Sequence, residues 1–161
     1  MELAELRARE GVRLTMALYT RYGDAREYDN LVEVFHPDAE MIIQGRGVLK
    51  GSEQIIKALR IGTEARGAYE PDNFQRHHLT TSMIEVTGET TARARHYIMV
   101  VTELGFDHTG SYADEFRKQG DRWLIVRREA SMDWARRDSR FVKWLGDPVG
   151  ASAEPGSARE S

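Results

Sequence analysis

The chain has 161 residues, 40% of them hydrophobic and 30% charged, with a formal net charge of −3. That is room for one domain with its own core, and it gives no electrostatic basis for holding nucleic acid or an anionic membrane. There is no Cys, which excludes disulfides, thiolate nucleophiles and cysteine-ligated metals.

No apolar run approaches the roughly 18 residues of a membrane span. Met1 to Glu10 is charged and lacks the apolar core of a signal peptide, so a cytoplasmic protein is expected. From Leu3 to Tyr22, apolar residues at Leu3, Leu6, Val12, Met16, Tyr19 and Tyr22 recur at close to helical spacing. Gly23-Asp24 is expected to interrupt this helix. Asp24 with Glu27 then reads as an N-cap and its reciprocal partner, opening a short second helix through Tyr28, Leu31, Val34 and Phe35. His36-Pro37-Asp38 stops it, because Pro disfavours helical geometry in the residue before it. Ala39 to Gln44 and Val48 to Lys50 read as a hairpin around Gly45-Arg46-Gly47. Ser52 caps a third helix with Ile55, Ile56 and Leu59 inward, and Gly62 to Asn73 reads as a loop.

The second half is strand-like. Phe74 to Val86, Thr91 to Leu104, Gly110 to Lys118 and Arg122 to Asp133 are rich in β-branched and aromatic residues and are separated by short Gly-containing turns. They predict an antiparallel meander. Gly146 to Ser161 is rich in Gly, Ala, Ser, Pro and Glu and reads as a disordered tail behind a single domain over 1–145. Helices followed by a long sheet predict an α+β architecture, a cone with three N-terminal helices packed on one face of a curved antiparallel sheet and a cavity between the layers.

Tyr19, Asp24 and His77-His78 are the polar residues of greatest interest. A buried His beside a carboxylate is a general acid/base pair, and a nearby Tyr can polarise a substrate oxygen. Each also has a structural reading. Asp24 suits a helix cap, Tyr19 a core aromatic, and each His a satisfied strand-end residue. Successive strand residues point to opposite faces, so only one of His77 and His78 can face a cavity. Tyr112 and Asp114 share one face of the third long strand, and Arg128 lies on the fourth. With His78 and Tyr97 they are the candidate substrate contacts, against the alternative of an ion-paired network inside the sheet. The five His show no HExxH and no paired-ligand spacing, so no metal is assigned. Arg93, Arg95, Arg127 and Arg128 are interleaved with Glu85, Glu115 and Glu129, which predicts a solvated, ion-paired sheet face.

Five segments carry a family resemblance: Phe35-His36-Pro37-Asp38-Ala39-Glu40, Gly47-Val48-Leu49-Lys50-Gly51, Arg76-His77-His78-Leu79-Thr80, Tyr112-Ala113-Asp114-Glu115-Phe116 and Gly120-Asp121-Arg122-Trp123-Leu124-Ile125. Their order and spacing resemble the SnoaL-like branch of the nuclear transport factor 2-like superfamily. That branch includes scytalone dehydratase, bile acid 7α-dehydratase and dehydrochlorinase-type lyases. The resemblance implies Asp24 and His77 as an acid/base dyad, with Tyr19 as hydroxyl donor and His77 rather than His78 at the His position. It implies a cofactor-independent lyase acting by dehydration, β-elimination or retro-aldol loss on a small aromatic or polycyclic substrate. An isomerase or cyclase using the same pocket, or a non-catalytic ligand-binding or assembly module, is the alternative. Self-association into dimers or trimers is implied as well.

Overall fold

The first helix, α1 (Leu3–Ala25), buries Ala8, Val12, Thr15, Met16 and Tyr19 in one stripe, as a 3.6-residue period requires. The computed structural model describes residues 2–64, 73–139 and 141. α1 runs through Gly23 and Asp24, where an interruption was expected, and ends at Arg26, in the left-handed region at φ 59°. The Arg26 N–H returns to the carbonyls of Gly23 and Tyr22, closing the last turn. Asp24 is therefore a helix residue and not a cap. Glu27 precedes α2 (Tyr28–Leu31), makes no side-chain cap bond, and accepts instead from Arg21 and Asn30. A 3₁₀ turn, Val32–Val34, completes this short segment.

His36-Pro37-Asp38 ends the helical run as expected but belongs to a strand, β1 (Phe35–Ile43). Pro37 is tolerated there because the pairing register shifts between Phe35 and Glu40, so its missing N–H interrupts no regular ladder. β2 (Gly47–Lys50) folds back on β1, and α3 (Ser52–Glu64) follows, running three residues into the loop expected from Gly62. Most of the expected loop after it, 65–72, and the expected tail, 146–161, lie outside the described residues.

The meander is formed by β3 (Gln75–Val86), β4 (Thr91–Thr102), β5 (Gly105–Gln119) and β6 (Arg122–Ala135). β4 alternates strictly between exposed and buried residues, the mark of a sheet with one face on a core. The order across the six-stranded sheet is β2-β1-β6-β5-β4-β3. The meander is antiparallel, but β1 joins β6 in parallel, so the whole sheet is mixed. The α+β cone of the sequence reading is thus present, closed at one side by a parallel pair that local patterning did not announce. α1 and α3 pack on the concave face around Val12, Met16, Leu31, Ile55, Phe116 and Ile125. α1 lies close on β6: the Thr15 hydroxyl donates to the Trp123 carbonyl, and Gly11 faces the Trp123 indole. The convex face carries ion pairs such as Arg93 with Glu85, at 2.8 and 3.1 Å.

Candidate functional site

The helices and the concave face enclose a cavity of about 250 Å³. Leu31, Met41, Ile98 and Ala130 are among its apolar walls, and its polar lining includes Tyr19, Tyr28, His77, His108 and Tyr112. A largely apolar cavity with a few converging polar groups is the usual form of a small-molecule site.

β3 is an edge strand, so backbone N–H groups on its outer side need a partner other than a strand. At His77 that partner is Asp24. One carboxylate oxygen accepts the His77 backbone N–H at 2.8 Å, and the other meets His77 Nδ1 at 2.6 Å. Continuation of α1 through Gly23 delivers the carboxylate to this edge. A carboxylate only accepts, so Nδ1 carries the hydrogen and the ring's basic lone pair is on Nε2. Asp24 is 7% exposed, and His77 lines the cavity. The Asp24–His77 contact is thus present, held by two bonds from one carboxylate.

Beneath the cavity lies a buried ion pair. Asp114 and Arg128 are directly opposite across β5 and β6. Arg128 Nε and Nη2 donate to the two Asp114 oxygens at 2.7 and 2.8 Å, a two-pronged pair. The guanidinium carbon sits 3.9 Å from the Tyr19 ring centre and 4.2 Å from that of Tyr112. Tyr19 is in turn edge-on to Phe35 and Tyr112, each at 5.9 Å. Asp114 and Arg128 are 3% and 0% exposed and do not line the cavity. Arg128 contacts the two tyrosines that do. Burial pushes the Tyr112 hydroxyl well up from its ordinary range, partly opposed by the Arg128 cation, so it keeps its proton and can donate. The Tyr28 hydroxyl is buried with no partner among the described residues.

Of the five expected substrate contacts only Tyr112 lines the cavity: Asp114 and Arg128 lie beneath it, paired with each other across the strands, and two more lie on the opposite face. His78 pairs with Met99 on the convex face and is exposed, and Tyr97, also convex, is 59% exposed. Strand alternation sends both away from the cavity that His77 and Ile98 face. Conversely, the sequence reading passed over Asp107 and His108, taking the first as turn and starting the strand at Gly110. β5 in fact begins at Gly105. Val100 pairs with His108 and Val101 with Phe106, which leaves Asp107 as the extra residue of a β-bulge. The bulge turns both side chains inward, at 1% and 4% exposure, and His108 Nδ1 meets an Asp107 oxygen at 2.7 Å. The Ser139 hydroxyl donates to the same oxygen at 2.6 Å. Burial alone would raise the Asp107 pKa, but the bonds from His108 and Ser139 outweigh it and hold the carboxyl below its usual range. Adjacent Asp and His residues were the available signal, and only the bulge makes them neighbours on one face. Among the described residues no three His, Asp or Glu side chains gather as a metal-binding group.

A cone of this shape, helices packed on a curved mixed sheet with a cavity between them, is the nuclear transport factor 2-like fold. The profile of the SnoaL-like domain matches residues 4–129, and the chain belongs to that family. No curated protein matches it by sequence. Among solved structures, it is similar to a putative scytalone dehydratase from Novosphingobium aromaticivorans: 22% identity over 96% of this chain and 100% of that one, TM-score 0.70. It is similar to a hexachlorocyclohexane dehydrochlorinase of the LinA-type3 class from Novosphingobium barchaimii, with 16% identity over 84% and 93% of the two chains and TM-score 0.69. An NTF2-like protein with a cystatin-like fold, also from a Novosphingobium aromaticivorans strain, is 25% identical over 87% and 91%, with TM-score 0.68. These likenesses establish the fold.

Proposed function

We propose that the chain is a cofactor- and metal-independent lyase, in which Asp24 and His77 take a proton from a carbon of a small, largely apolar substrate. The observation that carries this reading is the 2.6 Å contact between Asp24 and His77 Nδ1 at the wall of an apolar cavity. Asp24 fixes the ring's tautomer and stabilises the imidazolium formed when Nε2 takes the proton. Tyr19 and Tyr112 are hydroxyl donors for a substrate oxygen, and Arg128 behind their rings supports negative charge building on that oxygen. Asp114 holds Arg128 in place and does not meet the substrate. The structural relatives, a putative scytalone dehydratase and a dehydrochlorinase, support loss of a small molecule as the reaction class.

The test uses a panel of aryl-substituted β-hydroxy ketones, followed for enone formation and for deuterium entry at the carbon next to the carbonyl in D₂O. The native chain catalyses both. His77→Gln and Asp24→Asn, still folded, slow both by about 10²–10⁴-fold, the usual share of one acid/base group. A folded His77→Gln variant with undiminished turnover sinks the dyad. A native chain that binds panel members without exchange or elimination is a binding module instead. We also infer self-association, through the convex face of the sheet.

A further inference from the structure

We propose that His108, oriented by Asp107, is a second catalytic acid/base group of the same cavity, donating the proton to the leaving oxygen while His77 takes one from carbon. This inference rests on the lyase reading above and assigns the acid that reading lacks. Its ground is geometric. In the sheet register His77 pairs with Val100, and Val100 with His108, so the two imidazoles lie on one concave row, two strands apart. Their ring centres are 6.3 Å apart, at 80° to one another. Val100 between them is fully buried and reaches neither bond.

Each ring has its own carboxylate on Nδ1: Asp24 at 2.6 Å and Asp107 at 2.7 Å. Asp107 is locked in turn by the Ser139 hydroxyl. The bulge that turns Asp107 inward places the carboxylate beside its own chain neighbour, and bulges commonly re-aim a side chain at a functional site. Phe141 lies tilted against His108 at 4.3 Å and edge-on to His77 at 6.3 Å, an apolar wall against both rings.

The separation suits atoms on neighbouring carbons. With each Nε2 about 2.6–3.2 Å from its target, two rings at this spacing span a C–H and an adjacent C–O of one molecule. In the step, the C–H bond breaks and its proton goes to neutral His77. The electron pair becomes the new C=C bond as the C–O bond breaks. The hydroxyl leaves as water with the proton from protonated His108. His77 has then gained one proton and His108 has lost one, and exchange with water after product release resets both. The substrate class is a compact, mainly apolar molecule carrying a hydroxyl β to an acidified C–H, such as an aryl β-hydroxy ketone.

The experiment separates the two half-steps on the same aryl β-hydroxy ketones. Deuterium entry at carbon needs only the base; enone formation needs the acid as well. His108→Gln should slow enone formation about 10²–10⁴-fold, the span of one acid/base group, and slow deuterium entry at least about tenfold less. Its pH profile should lose the alkaline limb, changing from a bell to a single rise. Asp107→Asn, which preserves shape, should show the same split and covers the case in which His108→Gln does not fold. If folded variants form enone at the native rate, or lose exchange and elimination in equal measure, the inference falls while the lyase reading stands. A native chain that neither exchanges nor eliminates overturns the lyase reading and this inference with it.

Discussion

Arg128 is fully buried, and among the described residues its hydrogen bonds and ring contacts go to neighbours fixed by the sheet or by α1: Asp114 across the strands, the Met16 sulfur at 2.9 Å, and the two tyrosine rings. Taking such a cation away leaves the Asp114 carboxylate buried without its partner, which typically costs about 3–5 kcal/mol. Arg128→Met should therefore destabilise the fold by that order in urea unfolding, and Arg128→Met with Asp114→Leu should recover much of the loss. Equal stability of the single and double variants would refute the stranded-charge account. His96 is the neighbouring case. It bonds Ser82 through Nδ1 at 2.8 Å, and its Nε2 lies 4.0 Å from Asp114. Its pKa is held below the ordinary 6.5, chiefly by burial, with Asp114 opposing and the Arg128 cation reinforcing. The unfolded chain therefore takes up a proton just below that value which the folded chain refuses. The stability His96 contributes is whole above the unfolded pKa and is lost as the pH falls through the folded one. Urea unfolding at about pH 7.5 and about pH 5.5 should show a larger loss for the native chain than for His96→Gln. Matching losses would remove His96 as the cause.

At the scale of elements, two close approaches set how the layers meet. A Cβ on Gly11 would strike the Trp123 indole where α1 lies on β6, and one on Gly110 would strike the Ser131 carbonyl where β5 crosses β6. Neither glycine has positive φ, so space and not backbone freedom is the constraint. Gly11→Ala and Gly110→Ala should each destabilise by about 1–3 kcal/mol, the usual cost of overpacking, seen as lower melting temperatures. Gly23→Ala, with nothing near its Cβ, is the control, and should hold or gain stability as a helix-interior glycine replaced. If Gly110→Ala melts with the native chain, the strands are not in contact as described. Element identity was largely legible in the sequence: α1 from its stripe of apolar residues, β4 from strict alternation, and the meander from its turns. Boundaries failed where a polar residue served another element. Asp24 with Glu27 looked like a capping box, but Asp24 serves the β3 edge. Gly105-Phe106-Asp107 looked like a turn, but Phe106 and Asp107 extend β5 through a bulge.

At the scale of the whole molecule, the convex face leaves Met83 and Tyr97 exposed, together with Phe106 stacked on Trp134 at 5.3 Å. Covering these with a second copy is the expected use of the face. Light scattering should give a mass above one chain, reduced by Trp134→Lys; a monomer at every concentration would end that expectation. By itself the sequence determined the α+β class and the order of the elements; strand alternation allowed only one of His77 and His78 to face inward, and the family resemblance implied His77. All of these rest on short-range periodicity and on motif order. Only the tertiary structure decided that β1 runs parallel to β6 and that Arg128 is a buried brace behind the tyrosines. It alone decided that Tyr97 faces away from the cavity and that Asp107 and His108 turn into it together. Those outcomes depend on pairing register between distant strands. A single extra residue in one strand moves a side chain to the other face, and no local pattern records which strand carries it.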